Sequence, residues 1–258
     1  MLVSLVALSV AIPMVLGSDV GTSASVNNKA PVVTISGISP DPVTPPTTTV
    51  TVSGSLSDPN GIEDVTSLTY VVKKPDTSTY TSGSATVAAS WSFGFSVSMD
   101  APPGTYTVEV TASDGSLSDT DSKTFVVNEV VAFSIDFNAV SYGAIDPGSS
   151  STVSGDATME TIGTAPPVKP TIKNEGNDDI DVQMSIVDNV ANPETLFNGN
   201  TAATVGTAGP QTLSSAPTTF DVNIGKTLTA KIDSTLTVPT GTLDGSYSGT
   251  LTVSAVTT

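Results

Sequence analysis

Hydrophobic and polar residues alternate along most of this chain in runs of strand length. The clearest run, residues 90–99 (SWSFGFSVSM), places Trp91, Phe93, Phe95, Val97 and Met99 on one face. Residues 104–114 repeat the pattern, with Tyr106 and Val108 on the same side. A period of two positions is typical of a half-buried β-strand, and no helical period persists beyond the N-terminus. The pattern therefore predicts an all-β protein.

The predicted strands fall into two groups separated by turn residues. A length of 258 residues fits two domains of about 100 to 150 residues each. Short strands at this spacing favour β-sandwiches, so we expect one sandwich over residues 25–129 and a second over 130–258. The predicted strands cover residues 31–35, 49–56, 68–72, 90–99, 104–114 and 122–127, and then 133–137, 170–173, 180–187, 219–224, 229–238 and 245–253.

Two segments of the second half have less regular patterns. The turn Asn174–Asp178 between two predicted strands favours a hairpin. Alternation beyond it places Asp179 and Asp181 on one exposed strand face, which requires no ligand. Residues 191–217, rich in Asn, Thr, Gly and Ala, predict a long loop or weak strands on the exterior.

The N-terminal residues 1–24 are predicted to be a signal peptide or hydrophobic leader. Residues 2–16 form an uncharged apolar run that is shorter than the roughly 20 residues of a membrane span but has the length of a signal-peptide core. Gly17, or the small residues at 22–24, offer cleavage points, although no positively charged region precedes the run. A short anchor or the hydrophobic helix of a pilin-like subunit is the alternative. We therefore expect a secreted or cell-surface protein that contacts a membrane only through this segment, if it is not cleaved.

Composition and charge exclude several classes of function. The chain carries 25 acidic and 8 basic residues, a net charge of −17, so it cannot neutralise a nucleic-acid backbone. It contains no arginine, histidine or cysteine, which excludes Ser-His-Asp and Cys-His catalysis, histidine or thiolate metal sites, and disulfides. No motif places two catalytic groups together, so the sequence predicts a protein that is not an enzyme.

One group of oxygen-bearing side chains fits a metal ion. Asp58, Asn60 and Asp64 lie close together around a D-P-N-G turn, and Asp114 ends a later predicted strand of the same domain. Calcium takes about six to eight such oxygen ligands. The sequence predicts a calcium site at these four residues. The alternative is no cofactor, because D-P-N-G is also an ordinary turn whose Asp and Asn side chains bond local backbone groups.

Three motifs of the first half resemble the immunoglobulin-like modules of bacterial and archaeal surface proteins, a group that includes PKD-like and cadherin-like repeats. They are residues 28–33 (NKAPVV), 58–61 (DPNG), and 104–108 (GTYTV) followed by 112–115 (ASDG). The second half resembles secreted β-sandwich modules through residues 172–177 (IKNEGN). The resemblance implies two tandem immunoglobulin-like sandwiches after the hydrophobic signal segment, with a spacer or adhesive role.

Three classes of function are compatible with these features. The first is a non-enzymatic structural or adhesive module of a prokaryotic cell surface, whose partners are other surface proteins or copies of itself. The second is a self-assembling subunit of a filament or surface layer that exchanges strands, for which residues 24–35 would supply the donor. A carbohydrate-active enzyme or binding module is disfavoured because aromatic residues make up only 5% of the chain, which leaves little surface for sugar stacking.

Overall fold

The computed structural model describes residues 22–162 and 169–258, and these residues form an all-β protein, as predicted. Most of the predicted signal segment lies outside the described residues. One 3₁₀ turn, Ile62–Asp64, is the only helical element in the described ranges. The strands are β1 (Val32–Ser39), β2 (Thr47–Ser57), β3 (Ser67–Lys73), β4 (Thr79–Ser84), β5 (Ser90–Val97), β6 (Gly104–Ser113), β7 (Ser118–Val127), β8 (Phe133–Ile135), β9 (Ser150–Val153), β10 (Thr171–Asn174), β11 (Ile180–Asp188), β12 (Thr201–Val205), β13 (Ala208–Thr212), β14 (Thr218–Ile224), β15 (Thr229–Thr237) and β16 (Gly249–Thr257).

The first sandwich consists of two antiparallel sheets with the strand orders β1-β2-β5 and β4-β3-β6-β7. The aromatic stripe of β5 supplies much of its core, because Trp91 is 4% exposed and Phe95 is 9% exposed. Tyr106 and Val108 of β6 are fully buried, as the alternation predicts. Phe93 is only partly buried, and its ring stacks on Tyr70 with the ring centres 3.8 Å apart.

Carboxylates close the gap between β1 and the opposite sheet. The amide groups of Val33 and Ile35 on the outer edge of β1 donate to the side chains of Asp119 and Asp121 on β7, at 2.9 and 2.7 Å. Further along, Val43 forms a parallel bridge with Val127. An edge strand with unpaired backbone groups invites pairing with another chain. In this sandwich the carboxylates of Asp119 and Asp121 on β7 accept hydrogen bonds from the amides of this edge strand instead.

Each sandwich has a tyrosine whose hydroxyl bonds the backbone four residues earlier. The hydroxyl of Tyr106 donates to the carbonyl of Pro102 at 2.9 Å, and that of Tyr247 donates to the carbonyl of Leu243, also at 2.9 Å. A glycine with positive φ, 123° and 154° respectively, stands two residues before each tyrosine. This tyrosine corner marks the start of the sixth strand, F, of an immunoglobulin-like sandwich. The immunoglobulin-like fold is therefore confirmed, whereas the assignment to PKD-like or cadherin-like repeats stays a prediction.

Alkaline pH should weaken the first sandwich through Tyr106. Burial raises the pKa of its phenol to about 12, above the value of about 10 for an unfolded chain. The stabilisation is complete below pH ~10 and is lost as pH rises towards 12, because the unfolded chain ionises first. Replacing Tyr106 with Phe should cost roughly 1 kcal/mol at pH 7 and flatten this decline. Urea unfolding of both proteins from pH 7 to 12 measures the difference between their free energies of unfolding. The titration of the lysines, which both proteins share, cancels from this difference. Parallel curves of unfolding free energy against pH would contradict the prediction.

Part of the strand order of the first sandwich recurs in the second. The neighbouring strands β8-β10-β15 correspond to β1-β2-β5, and the pair β11-β16 corresponds to β3-β6. The strands β12 and β13 extend the first of these sheets beyond β15, and β14 lies on the far side of β11. Buried apolar side chains form one cluster within residues 33–127 and another within 137–238. The boundary at residue 129 stays a prediction.

Three expectations for the second half are wrong. The turn Asn174–Asp178 is not a hairpin, because β10 pairs with β8 and β15 while β11 pairs with β14 and β16 in the other sheet. Asp181 is only 8% exposed, and its carboxylate accepts amides of Val222 and Asn223, each at 2.9 Å. Residues 191–217 do not all lie outside, since β12 contributes core side chains.

The turn Asn174–Asp178 also joins the two sandwiches. Asn177 is 1% exposed, and its amide nitrogen donates to the carbonyls of Ala101 and Asn128, at 3.1 and 2.9 Å. Its side-chain oxygen accepts the amide of Val130 at 2.7 Å. One buried side chain of the second module thus bonds both the loop between β5 and β6 of the first module and the connection between the modules.

Candidate metal centre

Three of the four predicted calcium ligands come together in the fold. Asp58, Asp64 and Asp114 each place a carboxylate oxygen within 4.8 Å of the other two. Asp58 follows β2, Asp64 ends the 3₁₀ turn, and Asp114 follows β6. The cluster therefore lies where loops from both sheets of the first sandwich meet. Asp58 and Asp114 are partly buried, and Asp64 is exposed.

The D-P-N-G turn positions Asp58 through local hydrogen bonds. One oxygen of Asp58, Oδ1, accepts the amide of Asn60 at 2.6 Å, the bond that a short acidic side chain makes in such turns. Gly61 then adopts φ 117°, and its carbonyl begins the turn by accepting the amide of Asp64 at 3.0 Å. The other oxygen of Asp58, Oδ2, is buried and has no hydrogen-bond partner among the described residues. A buried carboxylate oxygen without a donor is costly unless a cation satisfies it.

The turn between β6 and β7 fixes Asp114. Its Oδ1 accepts the amides of Ser116 and Leu117, both at 2.7 Å, and its Oδ2 accepts the side-chain amide of Asn28 at 2.9 Å. The bonds from Leu117 and Ser116 hold the pKa of Asp114 below its usual value. Asp114 is therefore a charged carboxylate at neutral pH, which is the form that binds a metal ion.

Asn60, the fourth predicted ligand, has a different role. Its side-chain oxygen accepts the amide of Lys29 at 2.8 Å, and its amide nitrogen donates to the carbonyl of Asn27 at 3.3 Å. Together with the bond from Asn28 to Asp114, these contacts bind residues 27–29 against the cluster. Asn28 was not among the predicted site residues, because an asparagine in the segment before the first strand gives no signal of its own.

The geometry suits a hard divalent cation. Three carboxylates this close repel one another, and an ion with a charge of +2 would remove the repulsion and coordinate their oxygens. Backbone carbonyls and water complete such sites in proteins. An ion at this place would also fix the segment 27–29 that precedes β1.

Among the described residues that line the cleft between the two modules, no two carboxylates form an acid pair for hydrolysis. The cleft has a volume of about 380 Å³, and Asp100 is the one carboxylate among its described lining residues, which also include Lys74 and Lys226. The Ser98 hydroxyl bonds this carboxylate and holds the pKa of Asp100 below its usual value. A carboxyl group that stays ionised is a poor general acid.

Comparisons with known proteins do not assign a family. No family model matches the chain, and no curated protein matches it. Among solved structures, Salmonella alpha-2-macroglobulin reacted with methylamine is similar with a TM-score of 0.30 and 13% identity, covering 91% of this chain and 15% of that one. Escherichia coli alpha-2-macroglobulin activated by porcine elastase has a TM-score of 0.30 and 12% identity, covering 88% of this chain and 20% of that one. The chain thus spans a fifth or less of these structures, and similarity at this level carries no functional assignment.

The described ranges contain no helix with the length and hydrophobicity of a membrane span.

Proposed function

We propose that this chain is a non-enzymatic extracellular structural or adhesive module of a prokaryotic cell surface, and that calcium at Asp58, Asp64 and Asp114 stabilises its first sandwich. The observation that carries the proposal is the convergence of three carboxylates within 4.8 Å, together with the unpartnered, buried Oδ2 of Asp58. Exposed sites built from loop carboxylates bind calcium in the range of about 10⁻⁴ to 10⁻³ M in extracellular modules. That affinity matches an environment in which calcium is abundant.

The charge and composition of the chain support a role in binding other surface proteins. The net charge of −17 keeps the surface soluble and disfavours nucleic acid. The chain lacks histidine, cysteine and arginine, and the described lining of the cleft between the modules includes a single carboxylate. Partners would therefore be other surface proteins or copies of this chain, and binding would not be coupled to a reaction. The PKD-like and cadherin-like resemblance of the first module supports the same role.

Calcium should raise the melting temperature of the first sandwich. At ten times the dissociation constant, an ion that binds only the folded state adds about 1.4 kcal/mol, or roughly 6 to 11 °C for a domain of about 100 residues. Asp58→Asn keeps the shape of the side chain but removes the charge and should abolish the shift. Differential scanning calorimetry with calcium and with a chelator measures the effect.

Asp76→Asn provides the matched control. Asp76 is an exposed carboxylate of the same module, and its Oδ1 accepts hydrogen bonds from the amide and hydroxyl of Ser78. The Asp76 variant should retain the full calcium shift. Equal melting of the unmodified protein with calcium and with chelator would remove calcium from the proposed function.

A further inference from the structure

The joint between the two modules consists of the loop 98–103 between β5 and β6, the connection 128–132 and the turn Asn174–Asp178. Three consecutive carbonyl groups of the loop each accept a hydrogen bond from a side chain. Two of the donors belong to the second module, and the third is the tyrosine corner of the first. The bonds run from the Nζ of Lys226 to Asp100 at 3.0 Å, from the amide nitrogen of Asn177 to Ala101 at 3.1 Å, and from the hydroxyl of Tyr106 to Pro102 at 2.9 Å.

Tyr106 sets the shape of this loop. Its side chain is fully buried, and its ring packs edge to face on that of Tyr80 with the ring centres 5.6 Å apart, so the hydroxyl that bonds Pro102 has a fixed position. The hydroxyl of Tyr80 accepts the amide of Ser98 at the start of the loop, at 3.1 Å. The amide of Ala101 then donates to the carbonyl of Ser98, also at 3.1 Å. The carbonyl groups that the second module binds therefore belong to a loop whose shape the first module fixes.

The second module presents Asn177 from a turn that is itself held in place. Asn174 is fully buried, and its Oδ1 accepts the amide of Gly176 at 2.8 Å. Gly176 lies so close to the connection that a Cβ there would come within 2.3 Å of the carbonyl oxygen of Val130. The amide of Asn177 donates to that same carbonyl at 3.2 Å. Backbone contacts thus position Asn177 before its side chain reaches the first module.

The connection between the modules leaves little freedom of rotation. Asn128 donates its backbone amide to the carbonyl of Val43 in the first module at 2.7 Å. Val130 donates its amide to the side-chain oxygen of Asn177 in the second module, also at 2.7 Å. Glu129 is the one residue between these two anchored positions. Domains joined by polar contacts ordinarily move relative to each other, but a connection this short removes much of that motion.

We propose that the tyrosine corner of the first module fixes the relative orientation of the two sandwiches, because Tyr106 holds the loop 98–103 in the shape that receives Asn177 and Lys226. The hydroxyl of Tyr106 bonds the loop and not the second module, so Tyr106 is a positioning residue that acts through the loop. The inference goes beyond the proposed function and does not depend on calcium. The candidate calcium ligands lie at the opposite end of the first sandwich, since Asp114 follows the far end of β6.

The second module contains a loop of the same kind at its end remote from the joint. The hydroxyl of Tyr247 bonds the carbonyl of Leu243 at 2.9 Å, and the amide of Thr242 donates to the carbonyl of Pro239 at 3.4 Å. Thr242 is partly exposed, whereas Ala101, at the corresponding position, is 1% exposed. Tyr247→Phe therefore removes the corresponding hydroxyl without changing the joint, and it is the matched control for Tyr106→Phe.

Distances between spin labels measure the relative orientation. The chain contains no cysteine, so Thr124→Cys in the first module with Thr252→Cys in the second places labels at two exposed positions and nowhere else. Ser53→Cys with Thr124→Cys, both exposed in the first module, gives the width of the distance distribution within a rigid body. Electron–electron double resonance should give a single inter-module distance whose distribution is as narrow as that of this reference pair.

Asn177→Ala and Tyr106→Phe should each broaden the inter-module distribution and leave the reference pair unchanged. Tyr247→Phe should leave both distributions narrow, and so should a calcium chelator. Circular dichroism and the fluorescence of Trp91, the only tryptophan of the chain, establish that each variant is folded.

Several results would overturn the inference. These are a broad inter-module distribution in the labelled protein without further substitutions, and a narrow one in Asn177→Ala or in Tyr106→Phe. A Tyr247→Phe protein whose distribution broadens as much as that of Tyr106→Phe would show that either tyrosine loosens the chain generally, and not that the first tyrosine corner sets the joint. None of these results bears on calcium binding, which calorimetry tests separately.

Discussion

Replacing Trp91 with alanine is expected to lower the free energy of unfolding of the first sandwich by roughly 3 to 5 kcal/mol. The indole is 4% exposed and lies directly against Gly54 of the neighbouring strand, where a Cβ would come within 2.2 Å of its ring. Removing the ring leaves a cavity that the strands β2 and β5 cannot close, because their register fixes the spacing of the backbones. Urea unfolding followed by circular dichroism measures the change.

Trp91→Phe separates the volume of the ring from its polar group. The indole nitrogen is buried and has no hydrogen-bond partner among the described residues, so phenylalanine removes an unsatisfied donor while it keeps most of the apolar contact. We expect a cost of no more than about 1.5 kcal/mol. If the alanine variant unfolded at the same urea concentration as the unmodified protein, Trp91 would not belong to the core.

Replacing Asp188 with alanine should cost the second sandwich roughly 2 to 4 kcal/mol. Asp188 ends β11, and its carboxylate accepts the amides of Leu196 and Phe197 at 2.8 Å each and that of Asn198 at 2.9 Å. The variant leaves three amide groups without an acceptor in a loop whose Leu196 and Phe197 side chains are buried. Thermal unfolding at pH 7 measures the loss. The control Asp179→Ala changes an exposed carboxylate just before the other end of β11 and should change stability by less than about 0.5 kcal/mol.

The effect of Asp188 should depend on pH in a defined direction. Burial by itself would raise the pKa of this carboxyl, but the amide bonds from Phe197, Asn198 and Leu196 outweigh it and hold the pKa below its usual value. The stabilisation is therefore complete above the unfolded pKa of about 3.9 and is lost as pH falls through the lower, folded value. The difference between the unmodified protein and Asp188→Ala should shrink below pH 4; a difference that stays constant to pH 2 would exclude the charged carboxylate as its source.

The strands that the sequence predicted are those whose apolar residues alternate. The boundaries of β5 and β6 agree with the predicted runs to within about two residues because one face of each strand is buried and the other is in water. The missed strand β4, with the sequence TYTSGS, contains one aromatic residue and no alternation. The strand β12 lies in the segment that was predicted to be a long loop or weak strands on the exterior. Its inward positions are Thr201, Ala203 and Val205, and the small threonine and alanine give a weak signal.

The candidate metal centre was predictable in part. Asp58 and Asp64 were predicted to be neighbours because they are close in sequence and the turn between them reverses the direction of the chain. Asp114 was predicted because it ends a later strand of the same domain, and the fold brings its carboxylate to within 4.8 Å of the other two. The role of Asn60 was not accessible, because its oxygen bonds to Lys29, a residue that precedes the first strand and whose position no local pattern specifies.

The sequence by itself determined the all-β class, the core stripe of β5 and the absence of histidine, cysteine and arginine chemistry, because these depend on composition and on a period of two residues. The tertiary structure alone decided which sheet each strand joins: β10 and β11 are neighbours in sequence but lie in opposite sheets, and pairing of this kind depends on long-range packing. It also decided that Asp119, Asp121 and Asp181 bond backbone amides, since a hydrogen-bond partner far along the chain leaves no mark on the local sequence.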